Sequence, residues 1–216
     1  MALTIAIAAH PLLDCGAFVT RFARPIAELA TPDAIARLAT DQPCGAPLVS
    51  SDTVRAEVRQ LLRNGGFKPA GRSKPASEYL HAAAMEGRFP RINAVVDACN
   101  VVSLWSGLPI SLVDVDRTRG ALAIAVLATG TSFAFNPSGQ VIDAGGLLAL
   151  VDDDGASGTP VKDAQRTKTC DTTQSALAVV WGTTALPGRV HRTVAWYREL
   201  VGEIDGARVE DCELVR

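Results

Sequence analysis

The 216-residue chain is 48% hydrophobic and 20% charged, proportions that exclude a disordered or fibrous protein and suffice for a continuous hydrophobic core. A formal net charge of −2 disfavours tight, salt-sensitive binding to long nucleic acid, although a local basic rim would still meet a single nucleic-acid end. No apolar run reaches the roughly 18–20 residues that cross a bilayer, and the Met1-Ala2-Leu3-Thr4-Ile5 start lacks the basic flank of a signal peptide. A cytoplasmic protein without a membrane partner is expected.

The length suits one domain over residues 1–216. An apolar run at 3–9 reads as a strand, and Thr31-Pro32-Asp33 as a helix start with Ile35 and Leu38 on its inner face. Residues 42–47 read as loop. Val54, Val58, Leu61 and Leu62 mark a helix over 51–64 that Gly65-Gly66 stops. Pro75-Ala76-Ser77-Glu78 opens another, ending near Glu86 before Gly87, and a longer helix runs over 92–106.

After Gly107 the pattern changes to strands at 109–116, 121–128 and 132–135, the last entering the turn Asn136-Pro137-Ser138-Gly139. They read as antiparallel neighbours. A strand at 147–151 ends in Asp152-Asp153-Asp154-Gly155, an acidic turn without the later ligand positions of a calcium loop, so a hairpin is expected. A strand at 178–182, an amphipathic helix at 189–201 and a short strand at 209–215 complete the chain.

The five cysteines, Cys15, Cys44, Cys99, Cys170 and Cys212, are scattered without a Cys-x-x-Cys pair, so reduced thiols and no metal are expected. Trp105, Trp181 and Trp196 read as core residues rather than stacking platforms for a nucleic-acid base. His10 reads as structural and His191 as solvent-facing, while His81 is either a surface or a pocket residue.

The helix at 92–106 is apolar nearly all round, which marks burial on most sides. Its polar residues Asn93, Asp97, Asn100 and Ser103 recur at steps of four, three and three, and therefore share one stripe. A buried carboxylate costs several kcal/mol unless paired or hydrogen-bonded. The stripe must either satisfy loop backbone or line a wet cavity.

Ser77-Glu78-x-Leu80, Phe89-Pro90-Arg91-Ile92-Asn93, Val96-Asp97-x-x-Asn100-x-x-Ser103-Leu104, and Leu108-Pro109 followed by Asp114 resemble the B3/B4 domain family, the editing domain of the phenylalanyl-tRNA synthetase β subunit that also occurs free-standing. The resemblance is strong over 72–120, fainter to about 185, and without a specific match over 1–65. It implies a mixed α/β (α+β) fold in which helices cover a curved, largely antiparallel sheet. It also implies hydrolysis, without cofactor, of the ester that joins a wrong amino acid to tRNA, with aminoacylated tRNA as the partner and no DNA.

Such a deacylase needs an attacking water, a cradle for the developing oxyanion and a discriminating pocket. The resemblance assigns the water to Asp97 and the ester to Asn93, Asn100 and the amides near Gly145-Gly146. Ser77, Glu78, His81, Ser103, Lys162, Asp163 and Thr169 are further pocket candidates, and Arg72, Lys74, Arg88, Arg91 and Lys168 candidates for the tRNA end. In place of the family's Arg- and Trp-rich tract, this chain carries Pro160-Val161-Lys162-Asp163-Ala164-Gln165-Arg166-Thr167-Lys168-Thr169.

Two-point contacts from Asp97, Glu78 and Asp163 would suit a guanidinium-like substrate such as canavanine. Two other classes stand beside this one. One is a non-catalytic module that binds RNA or a small ligand in the same pocket. The other is a cysteine hydrolase using Cys170 or Cys99 with His81 or His191 as base.

Overall fold

The computed structural model describes residues 2–40, 42 and 45–216; Cys44 and part of the loop expected at 42–47 lie outside them. In chain order the elements are β1 (Leu3–Ile7), β2 (Leu13–Phe22), α1 (Asp33–Leu38), α2 (Asp52–Arg63), α3 (Ala76–Met85), α4 (Ala94–Ser106), β3 (Ile110–Asp114), β4 (Leu122–Val126) and β5 (Ser132–Ala134). They continue with β6 (Val141–Asp143), β7 (Leu148–Asp152), β8 (Gly155–Gly158), β9 (Ser175–Thr183), α5 (Arg189–Gly202) and β10 (Ala207–Val215). The expected helices and strands all form. Strands β2 and β6 have no counterpart in the sequence reading, and β3, β4 and β5, expected as antiparallel neighbours, do not pair with one another: β3 pairs with β9, β4 with β1 and β7, and β5 with β6.

One eight-stranded sheet runs in the order β3-β9-β2-β10-β1-β4-β7-β8, and β5 pairs with β6 apart from it. Its pairings are antiparallel except for β1, which lies parallel to both β10 and β4. The sheet curls until its edges almost meet. A strap over residues 159–173 joins them: Ser111 Oγ on β3 donates to the Thr159 carbonyl at 3.0 Å, Thr167 Oγ1 donates to the Ser157 carbonyl at 2.9 Å, and Val113 forms a bridge with Lys168.

Strand β9 shows why the interior has two cores. Ala176, Ala178 and Val180 face the helices, whereas Leu177, Val179 and Trp181 face the inside of the curled sheet, and all nine of its residues are buried. Strand β2 divides its residues in the same way, with Phe18 and Phe22 against the helices and Leu13, Cys15 and Val19 inward. A Cβ at Gly16 would lie 2.7 Å from Val194, so this glycine lets α5 settle onto β2.

Helix α4 is buried at eleven of its thirteen positions and packs against α1, α3, α5 and β3. Asn93 caps its start by accepting from the amides of Val95 and Val96, and Gly107 ends it at φ 70°. The tryptophans are buried; Trp105 Nε1 donates to the Leu38 carbonyl and Trp181 Nε1 to Ser111 Oγ. The acidic turn joins β7 to β8 as a hairpin, with the Asp152 side chain turned inward onto Arg166. Among the described residues no helix is long and apolar enough to cross a membrane.

Candidate functional site

A cavity of about 420 Å³ opens between the start of α4, β3 and the strap. Its apolar lining is Ile92, Val96, Cys99, Ile110, Leu112 and Val161. Its polar lining is Asn93 and Asn100 from α4 and its cap and Lys162, Asp163, Lys168 and Thr169 from the strap, with the exposed Cys170 and Asp171 beside them. Seven residues separate the two asparagines, about two helical turns, so both reach one opening. The Asn100 side chain makes no hydrogen bond among the described residues.

Asp163 holds the seam of the curled sheet. Its Oδ2 accepts from the free-edge amide of Leu112 at 3.0 Å and its Oδ1 from the Thr159 amide at 3.0 Å, so one carboxylate ties β3 to the end of β8. Burial pushes this carboxyl up to about 6, although the two amides and the nearby Lys168 charge oppose the shift. Burial lowers the Lys168 ammonium, Asp163 opposing, while Lys168 Nζ donates to the Phe135 carbonyl. Burial also lowers Lys162, as do the charges of Lys168 and Arg72; its ammonium sits 3.7 Å from the centroid of the Phe135 ring.

A second groove, of about 560 Å³, adjoins the cavity at Lys162 and is lined by Arg72, Ser73, Phe135, Gln140 and β6. Of the expected site residues, the cavity thus gathers Asn93, Asn100, Lys162, Asp163, Lys168 and Thr169, and the adjoining groove adds Arg72.

The remaining candidates lie elsewhere. Asp97 is 2% exposed, and its carboxylate accepts from Arg91 Nε at 2.9 Å and from the Ile92 amide at 2.8 Å, so it pins the loop entering α4. Glu78 takes both oxygens to Arg59, tying α3 to α2. Ser103 Oγ donates to the Leu108 carbonyl. Ser77 is buried with its hydroxyl unpartnered among the described residues, and His81 is half-buried on α3; neither lines the cavity.

The Gly145 amide donates to Asp143 Oδ1 and the Gly146 amide to the Leu127 carbonyl, so neither is open to an oxyanion. Arg91 faces a separate depression, Arg88 pairs with Glu86 on the surface, and Lys74 lines neither the cavity nor the groove.

Burial pushes the Cys99 thiol up to about 12, which keeps it protonated and inert despite its place in the wall. Cys170 is exposed and its thiol is lowered, first by a hydrogen bond with the Thr172 side chain, but neither His81 nor His191 lines the same cavity. Asp171, Phe135 and the apolar lining of the cavity escaped the sequence reading. The alternation of β3 signals a strand and cannot say which of its faces borders a hole.

Among curated proteins, none matches the sequence. Among solved structures, the chain is similar to an N-terminal fragment of the phenylalanyl-tRNA synthetase β subunit from Pyrococcus horikoshii, at a TM-score of 0.53 and 11% identity, over 99% of this chain and 52% of the other. It therefore spans about half the length of that fragment, and the likeness is one of fold. Residues 69–187, just over half of the sequence, match the B3/4 domain. The stretch matched contains α3, α4, β3, the strap and every residue that lines the cavity, and the chain belongs to the B3/4 domain family.

Proposed function

We propose that the protein hydrolyses, in trans, the ester joining a wrongly attached amino acid to the terminal ribose of tRNA. The mixed lining of the cavity carries this reading. Its apolar residues suit a side chain, and the Asn100 amide on α4 and the Lys168 ammonium on the strap line the same space as donors for an ester carbonyl. Preorganised donors of this kind stabilise the charge that develops on that oxygen.

In the step we envisage, water attacks the carbonyl carbon and gives a proton to Asp163. The bond to the ribose oxygen then breaks, and the proton passes to that oxygen, leaving a free amino acid and a free hydroxyl. Asp163 takes the base role because it lines the cavity, which Asp97 does not, and a carboxyl near 6 is suited to proton transfer near neutrality.

The same contacts redirect the substrate class. The carboxylates that would grip a guanidinium are engaged within the chain: Glu78 by Arg59, Asp97 by Arg91, and Asp163 by two backbone amides beside Lys168. Two lysines facing the cavity repel a cationic side chain. The proposed substrate therefore carries an uncharged side chain, and canavanyl-tRNA becomes the disfavoured arm.

A deacylation screen over mischarged tRNAs, including canavanyl- and tyrosyl-tRNA, tests the proposal. Ester loss on a subset with uncharged side chains is expected, reduced about 100-fold in Lys168→Ala. Intact esters throughout, or undiminished activity in that variant, would sink it. A non-catalytic binding module has one observation in its favour: both Asp163 oxygens already accept a hydrogen bond. Purified protein that binds tRNA and never releases the amino acid would establish that reading instead.

A further inference from the structure

We infer that the groove adjoining the cavity is a phosphate subsite, which takes the 5′-phosphate of the terminal nucleotide while the amino acid occupies the cavity. The inference rests on the proposed function for the identity of the cavity's occupant. The phosphate subsite itself follows from charge placement. Arg72, Lys162 and Lys168 are close enough for the other two to lower Lys162, and like charges held together cost stability unless an anion offsets them.

Lys168 has such an offset within the chain, in Asp163 and the Phe135 carbonyl. Arg72 and Lys162 do not: among the described residues neither lies within ion-pair distance of a carboxylate. Asp143 also borders the groove, but it is occupied with the Gly145 amide, and the outer lining retains two cations against it.

The position of the groove supplies the second half. Lys162 lines both spaces, held at their junction over the Phe135 ring, so a ligand in the cavity can reach the groove without leaving the protein surface. A guanidinium and an ammonium around an open space match a phosphate, which accepts from both. A terminal nucleotide attached through its ribose to an amino acid has its phosphate displaced from the ester in this manner. Free inorganic phosphate shares the chemistry but lacks the link to the cavity.

Titration calorimetry of the full chain with AMP, adenosine and inorganic phosphate at low salt tests this. AMP should bind about tenfold more tightly than either adenosine or phosphate alone, and Arg72→Gln should bring AMP down to the adenosine level. Arg72 is exposed and makes no side-chain hydrogen bond or ion pair among the described residues, so the variant should remain folded with a melting temperature that is not lowered. Equal binding of AMP and adenosine, no AMP binding up to about 10 mM, or an AMP preference that survives Arg72→Gln would overturn the subsite.

Phosphate binding as tightly as AMP would overturn the nucleotide assignment. Because these probes carry no ester, the outcome is separate from the deacylase question. A protein that binds AMP through Arg72 and cleaves no ester keeps the subsite and loses the enzyme; a deacylase indifferent to the phosphate does the reverse.

Discussion

Replacing Asp97 separates a structural from a catalytic carboxylate. In Asp97→Ala the Arg91 guanidinium and the Ile92 amide both lose their acceptor. Hydrogen bonds to a charged group contribute about 1.5–3 kcal/mol each. Arg91 is 46% exposed and recovers much of its loss from water, so the net cost should be about 2–4 kcal/mol. At roughly 2–4 °C per kcal/mol for a chain of this size, the melting temperature should fall by about 4–16 °C.

Asp97→Asn keeps an oxygen for the Ile92 amide but turns an NH2 toward Arg91, losing that half-exposed bond and the charge, so about 1–2 kcal/mol and 2–8 °C are expected. Calorimetry alongside single-turnover deacylation, normalised to folded protein, provides the assay. Activity should stay within about threefold in Asp97→Asn. A loss of about 100-fold or more with an unchanged melting temperature would refute the structural role and return Asp97 to the chemistry.

Other substitutions probe the fold and the site separately. A Cβ at Gly146, where φ is 77°, would lie 2.2 Å from the Gly65 carbonyl oxygen, so Gly146→Ala should cost about 3 kcal/mol or more and lower the yield of folded protein, as read by chemical denaturation. Burial raises the Asp152 carboxyl, but its hydrogen bonds with Arg166 and two backbone amides outweigh this and leave it below 3.8. Its stabilising contribution is present above the unfolded value and lost as pH falls through the folded one.

Arg166→Gln should therefore destabilise by about 3 kcal/mol at pH 7 and by distinctly less near pH 3; an equal loss at both would contradict the assignment. The acid limb of the deacylation profile should have its midpoint near 6, the value to which burial pushes Asp163. Lys168→Ala should move the midpoint upward, because the ammonium holds that carboxyl down. A profile flat between about pH 5 and 7 would remove Asp163 from proton transfer.

Periodicity and capping chemistry by themselves determined most of the elements. The spacing of Val54, Val58, Leu61 and Leu62 marked α2, Pro75 the start of α3, and the apolar surface of α4 its burial, whereas Asn93, read as part of the polar stripe, proved to be the cap of α4. Strand β2 escaped because its polar residues fall on both faces, Asp14 and Thr20 on one and Arg21 on the other, so Leu13 to Phe22 shows no period-two contrast for alternation to reveal. The polar stripe of α4 was legible as a stripe, since helical spacing is local. Its division was not: Asp97 and Ser103 turn to loop backbone while Asn93 and Asn100 border the cavity. That division depends on where the 89–92 loop and the strap lie.

Likewise, Lys162, Asp163 and Lys168 were recognisable as polar residues after a strand. Only closure of the curled sheet brings them opposite α4, about sixty residues earlier in the chain. Sequence fixes contacts a few residues apart through backbone geometry, whereas a cavity is the space left between distant elements, and its lining is decided when the edges of the sheet meet.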